Sequence, residues 1–152
     1  MIHMIRIRTY SAADGEALEM IHDRARKIEL HLAGLDDAFL PLRIAAEREG
    51  LWEYPGLFVA ELDGRPVGFL ACTEEEQAWL YVDPAYMRQG IGRTLALHAM
   101  REFPRIHAIE VLKGNEPARA LYESLGFHVT ETETGQMPGN EKYQVTVYLM
   151  ER

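Results

Sequence analysis

Cysteine is almost absent. Cys72 is the single one in 152 residues, which rules out an intramolecular disulfide and metal clusters built on two or four thiolates. Its setting, "PVGFLACT", reads as the inside of a strand. With no histidine or cation beside it in sequence, a small buried hydrophobe is expected there rather than a nucleophile. Long hydrophobic runs are missing too: no segment approaches the roughly 18 uninterrupted apolar residues of a membrane span. The start, "MIHMIRIRTYS", has neither the apolar core nor the small-residue cleavage site of a signal peptide. A soluble, cytoplasmic protein is the expectation. The six histidines, at 3, 22, 31, 98, 107 and 128, lack the spacing of a helical zinc site, so no metal is expected.

Basic residues are in short supply, with 16 Lys and Arg against 24 Asp and Glu and a net charge of −8. That balance repels a nucleic-acid backbone and favours a cationic partner, although solubility alone also accounts for it. No repeat, low-complexity tract or proline-rich linker divides the chain, and its length suits one core, so a single domain over 1–152 is read.

What is present is periodicity. "HMIRIRTY" (3–10) alternates apolar and charged residues as a half-exposed strand does. In the segment 11–29, Ser11 and Asp14 form a capping-box pattern, and Leu18, Ile21, Ala25 and Ile28 recur at helical spacing. The segment 36–50 reads as a second helix with Pro41 in its first turn or at a kink. Two apolar runs around Asp63-Gly64 signal a hairpin over 56–73. A strand over 77–82 stopped by Asp83-Pro84, a helix over 92–103, a strand over 107–113, a helix over 116–125 with Gly126 past its end and two closing strands over 127–133 and 142–150 complete a mixed α/β domain. The apolar closing strand "YQVTVYLM" could also pair across a dimer, so monomer and homodimer both remain open.

The stretch "YVDPAYMRQGIGRTLA" (81–96) joins a strand to a helix through two glycines. Amides there can converge at the positive end of the helix and cradle an anion, with Arg88 and Arg93 adding charge. A tight turn with close packing is the plain alternative. A nucleoside-triphosphate loop is excluded because no Gly-Lys-Ser/Thr follows, and the dinucleotide fingerprint is incomplete because Leu95 takes its third glycine position.

Downstream, "EVLKGNEPARALYESLGF" (110–127) places Asn115, Ala118, Tyr122, Gly126 and Phe127 in an Asn-x-x-Ala-x-x-x-Tyr-x-x-x-Gly-Phe pattern. Together the two stretches resemble the GNAT superfamily of acetyl-coenzyme A-dependent N-acetyltransferases. Met87 departs from the arginine or glutamine usual in the family. The resemblance implies a central mixed, twisted sheet of about six or seven strands flanked by about four helices, with acetyl-CoA as co-substrate. It implies pyrophosphate binding by the backbone of Met87, Arg88, Gln89, Gly90, Ile91, Gly92 and Arg93. It further implies that Leu80, Tyr81 and Val82 form a splayed strand pairing with pantetheine and steadying an oxyanion, and that Asn115 hydrogen-bonds the cofactor arm while capping its helix. Lys113 and Arg119 are candidates for the 3′-phosphate.

N-acetyl transfer needs a neutral amine, a polarised thioester and a proton for the departing thiolate. The resemblance implies Glu110 as the candidate base, at the position five residues before Asn115 where ribosomal-protein N-terminal acetyltransferases of the family place a proton-accepting glutamate, the alternative being a glutamate on the solvated face of its strand. Tyr122 is the candidate acid, both by the resemblance and because a phenol can protonate a thiolate. Its alternative is a core aromatic. The acceptor is an amine, on a small molecule or on a protein or peptide. Glu29, Asp36, Asp37 and the run Glu74-Glu75-Glu76 are acids that would favour a cationic one, although three successive glutamates most often mark a solvated turn. The connector 134–143 is a candidate rim of the acceptor pocket. Direct attack within a ternary complex is expected, and a non-catalytic acetyl-CoA sensor is the rival reading.

Overall fold

The computed structural model describes residues 4–152; the predicted first strand begins at His3, outside them. The observed elements follow the order read from periodicity. They are β1 (Ile5–Thr9), α1 (Gly15–Leu32), α2 (Leu42–Glu49), β2 (Gly56–Leu62), β3 (Arg65–Cys72), β4 (Glu76–Val82), α3 (Ile91–Glu102), β5 (Ala108–Leu112), α4 (Glu116–Ser124), β6 (His128–Gln136) and β7 (Gln144–Glu151).

One seven-stranded sheet runs β1-β2-β3-β4-β5-β7-β6. Neighbours pair antiparallel except β4 and β5, whose parallel ladder registers only Glu76 with Ala108 and Gln77 with Ile109. Helices cover both faces, which is why β2 and β3 read as near-continuous apolar runs rather than as an alternation. Phe58, Ala60, Leu70 and Cys72 point to the face packed with Ile91, Leu95, Ala99 and Tyr122. Leu57, Val59, Phe69 and Trp79 point to the opposite face, against Leu18, Ile21, Leu42 and Ala46. A smaller core gathers Leu30, Ala38, Met137 and Val145.

Local chemistry accounts for the starts and stops. The capping box forms, with the Ser11 N–H donating to Asp14 Oδ2 at 2.9 Å. The Arg8 guanidinium, 2.7 and 2.8 Å from the same carboxylate, holds the Asp14 carboxyl below its ordinary range. Asp63 and Gly64 both take positive φ, 53° and 78°, as a type I′ hairpin turn demands. Burial pushes the Cys72 thiol up to about 11, in keeping with an inert core residue.

Four expectations need correction. The second helix does not run from 36 to 50: Asp36–Ala38 is a separate 3₁₀ turn, and Pro41 is the N-cap of α2. Proline has no N–H to continue a helix, and the first free amide after it, Leu42 N–H, donates instead to Asp23 Oδ1 at 2.9 Å. Ile28 is 43% exposed and leaves the apolar stripe of α1. The connector between the closing strands shortens to 137–143, because Thr134, Gly135 and Gln136 pair with β7. Lastly, β7 cannot pair across a dimer, since β5 and β6 occupy both of its edges.

Candidate active site

The site grows from the point where β4 and β5 part. Beyond Gln77 the two strands share no further rung, so from Ala78 onward the edge of β4 that faces β5 is unpaired. On the other side, β3 registers Ala71 with Trp79 but Cys72 with Gln77, which makes Ala78 an extra, bulged residue. A bulge redirects one peptide unit out of the ladder, and here it does so at the apex of the gap. Leu80 and Val82 send their side chains under α3 into the first core. Tyr81 points the opposite way.

Past Val82, Asp83 Oδ1 accepts from Ala85 N–H at 3.0 Å and is paired with Arg24 of α1 at 2.9 Å, which anchors a short 3₁₀ turn over Pro84–Tyr86. The chain then turns through two left-handed residues, Arg88 at φ 64° and Gly90 at φ 79°. The first bond of α3 runs from Thr94 N–H to the Gly90 carbonyl at 2.9 Å. Ahead of it the amides of Ile91, Gly92 and Arg93 open the helix unbonded, as the first turn of any helix does. Met87, Arg88, Gln89 and Gly90 are all exposed. Such a turn can hold a doubly charged anion by backbone alone. Arg93 donates to Ser124 Oγ at 2.9 Å, tying α3 to the end of α4.

Tyr122 reaches the same apex from below. The residue is 2% exposed, its ring stands edge-on to Phe127, and its hydroxyl accepts a hydrogen bond from Nε2 of Gln77, the last residue of the β4/β5 ladder. Burial holds the phenol well above its ordinary pKa, so it stays protonated. The Gln77 carboxamide oxygen is buried, and no partner reaches it among the described residues.

Above the apex, α1 contributes a polar stripe. Glu29 Oε1 accepts from Arg26 Nη1 at 2.6 Å and from the Tyr81 hydroxyl at 2.9 Å, while Oε2 accepts from Asn115 Nδ2 at 3.1 Å. Asn115 also caps α4 through Oδ1, which accepts from Ala118 N–H at 3.3 Å. Its position depends on Gly114, at φ 107°, where a Cβ would lie 2.5 Å from the Leu32 carbonyl oxygen. Only glycine lets this turn close on the end of α1. His22 is buried edge-on to Tyr81 with Nδ1 2.9 Å from Asp23 Oδ1, and burial keeps the ring's pKa below its ordinary value.

His22, Arg26, Glu29 and Tyr81 line a cavity of about 160 Å³ together with Leu40, Ala45, Glu49, Ala78, Trp79, Glu110, Leu112 and, from the connector, Met137, Pro138 and Asn140. The connector is pinned over it. Asn140 Nδ2 donates to the Ala38 carbonyl at 3.0 Å, the Tyr143 hydroxyl to the Asp37 carbonyl at 2.9 Å, and Arg48 to the Gly139 carbonyl at 2.9 Å.

The model of the acetyltransferase (GNAT) family matches residues 21–127. The chain belongs to the GNAT acetyltransferase family. It is 34% identical over 128 residues to the peptidyl-lysine N-acetyltransferase YjaB of Salmonella typhimurium, a match covering 84% of this chain and 86% of the relative. Over 51 residues it is 47% identical to the ribosomal protein bS18-alanine N-acetyltransferase of Escherichia coli, covering 31% of this chain and 34% of that enzyme. The solution structure of apo YjaB from Escherichia coli superposes with a TM-score of 0.72 at 26% identity, covering 97% of each chain. The chain is thus an N-acetyltransferase, and the sensor reading has no support among these relatives.

Within this GNAT domain the structure brings together most of the residues singled out in the sequence. Met87 to Arg93 form the turn, Leu80 to Val82 the unpaired strand edge, and Asn115 and Tyr122 flank the gap. Glu110 lines the cavity just beyond the last β4/β5 rung. Arg119 is otherwise engaged: it pairs with Glu123 at 2.8 Å and stacks on Tyr148 of β7. Asp36, Asp37 and Glu74 to Glu76 face solvent outside the cavity, and Glu74 pairs with Arg105. Arg26, His22, Glu49 and Gln77 were not singled out, and Asn140 only as part of the connector expected to rim the pocket. For α1 a signal existed, because His22, Arg26 and Glu29 recur at i, i+4 and i+7 beside the apolar stripe. Glu49, in the polar run "AEREG", carried none.

Proposed function

We propose that this enzyme acetylates the primary amine of a slender aliphatic chain, of which a lysine side chain is the prime example, with acetyl-CoA as donor. One observation carries the reading: the anion-binding turn and the acceptor cavity open onto the two ends of one unpaired strand edge, Ala78 to Val82. A pantetheine-like arm can pair with that edge as an added strand while its diphosphate meets the amides of Gly90 to Arg93. The cavity volume also supports it. About 160 Å³ is close to the ~150 Å³ of a cavity that takes up benzene, room for five or six heavy atoms but not for a folded peptide backbone. The likeness to a peptidyl-lysine N-acetyltransferase over most of the chain points the same way.

In this reading the residues divide the work as follows. The amide presented by the bulge at Ala78 steadies the thioester oxygen as it gains charge. Glu110, directly or through a water, accepts the proton that the attacking nitrogen must lose. The new C–N bond forms as the C–S bond breaks, and the Tyr122 hydroxyl gives its proton to the departing sulfur. The products are an amide and a thiol; Tyr122 and Glu110 return to their starting states by exchange with solvent. Glu29, with both carboxylate oxygens already engaged, holds Tyr81 and Asn115 in place.

Tyr122→Phe tests the assignment. With n-butylamine or a single-lysine peptide as acceptor, release of free thiol should fall about 10²- to 10⁴-fold, the range of one acid–base group. The thermal shift produced by acetyl-CoA should persist, about 2.7 kcal/mol at ~100 times the dissociation constant. Wild-type rates in the phenylalanine variant would remove Tyr122 from the chemistry. Failure of the wild-type protein to acetylate any amine would overturn the whole proposal.

A further inference from the structure

Glu49 stands apart from the other acids of the cavity. It is the last residue of α2, half-buried, and it lines the cavity directly. Glu29, by contrast, has its two oxygens taken by Arg26, Tyr81 and Asn115. Among the described residues no hydrogen-bond or ion-pair partner reaches the Glu49 carboxylate. The connector 137–143 crosses so close above it that a Cβ on Gly139 would lie 3.2 Å from Oε2. The neighbours do little to neutralise it. Arg26 of α1 attracts it but is bonded to Glu29, while Glu141 of the connector repels it, and Tyr54 and Tyr81 face it as uncharged phenols. It also sits at the negative end of a helix. A half-buried carboxylate at an unfavourable helix end and without a partner is costly to keep unless something else completes it.

We propose that Glu49 is the specificity determinant of the acceptor subsite: it meets the cationic nitrogen of the incoming amine beneath the 137–143 connector and selects charged over uncharged acceptors, the nitrogen giving its extra proton to solvent before it attacks and its second to Glu110 as the C–N bond forms. This rests on the acetyl-transfer reading above and adds to it the chemistry of recognition. Burial pushes the Glu49 carboxyl up to about 7, against the pull of Arg26 and with that of Glu141. A cation in the cavity would reverse that penalty and favour the charged pair. The negative charge of the protein as a whole has the right sign to draw such acceptors in.

The test compares two acceptors of the same length at pH 8, n-butylamine, which is cationic, and O-propylhydroxylamine, which is uncharged. The wild-type enzyme should show a KM at least tenfold lower for n-butylamine. In Glu49→Gln that KM should rise about 10- to 100-fold, as expected for losing a charge-assisted hydrogen bond, with kcat changed less than about threefold, so that the preference between the two acceptors disappears. Glu49→Asp, which keeps the charge, should restore part of it. A retained acetyl-CoA thermal shift in both variants establishes that the donor site and the fold are intact. An unchanged KM and an unchanged preference in Glu49→Gln would overturn the inference while leaving the acetyl-transfer reading standing. A wild-type enzyme inert toward both amines would instead overturn the reading on which it rests.

Discussion

Replacing Glu49 by glutamine should make the protein more stable at neutral and alkaline pH, but not at acid pH. In the folded chain this carboxyl sits at about 7 against 4.5 in the unfolded chain, chiefly because burial penalises its charged form. Below about 4.5 it is protonated in both states, and the variant gains nothing. As pH rises, the unfolded chain ionises first, and the native state loses relative stability until its own carboxyl ionises near 7; beyond that the full cost is present. At ~1.4 kcal/mol per pH unit the unscreened total is about 3 kcal/mol. The carboxylate opens onto a solvent-connected cavity, which reduces the expected gain to about 1–2 kcal/mol. For a chain of this size that raises the melting temperature by about 2–8 °C. Circular-dichroism melts of both proteins at pH 4.5 and pH 8.5, without ligands, provide the comparison. Equal melting temperatures at pH 8.5, or a gain of the same size at both pH values, would refute the argument that Glu49 is a desolvated, uncompensated charge.

Two further outcomes follow from the packing around the cavity. Gly114→Ala should destabilise the fold by at least about 1–3 kcal/mol, because a methyl group there meets the Leu32 carbonyl oxygen at 2.5 Å and the residue's φ of 107° strains any side chain. Chemical denaturation measures the loss, and the displaced Asn115 should lower kcat/KM as well. Asn140→Ala removes the donor to the buried Ala38 carbonyl and should cost about 1–3 kcal/mol. The freed connector should then show faster amide exchange over 137–143, and a rate unchanged there would mean that other contacts hold it down.

Much of the chain could be read in advance because its signals are local. The glycine turn lies within sixteen consecutive residues and its geometry depends on Gly90 and on the opening of α3, both legible in "RQGIGRT". The hairpin at Asp63-Gly64 was equally plain. Where the reading slipped, a distant residue intervened. The helix expected from 36 was cut at Pro41, with Asp23 of α1 supplying the carboxylate that receives Leu42 N–H. The connector was shortened by a ladder that β7 extends as far as Gln144.

By itself the amino-acid order determined the succession of strands and helices, the apolar hairpin of β2 and β3, and the glycine turn before α3. Hydrophobic period and turn chemistry act over a few residues and need no distant partner. Only the tertiary structure decided that β4 and β5 part after a single pair of rungs, that β7 inserts between β5 and β6, and that Arg26, Glu29, Glu49, Glu110 and Asn140 converge on one cavity. Those features follow from strand register and from helices crossing a shared sheet, where residues more than a hundred positions apart become neighbours through packing rather than through any local preference.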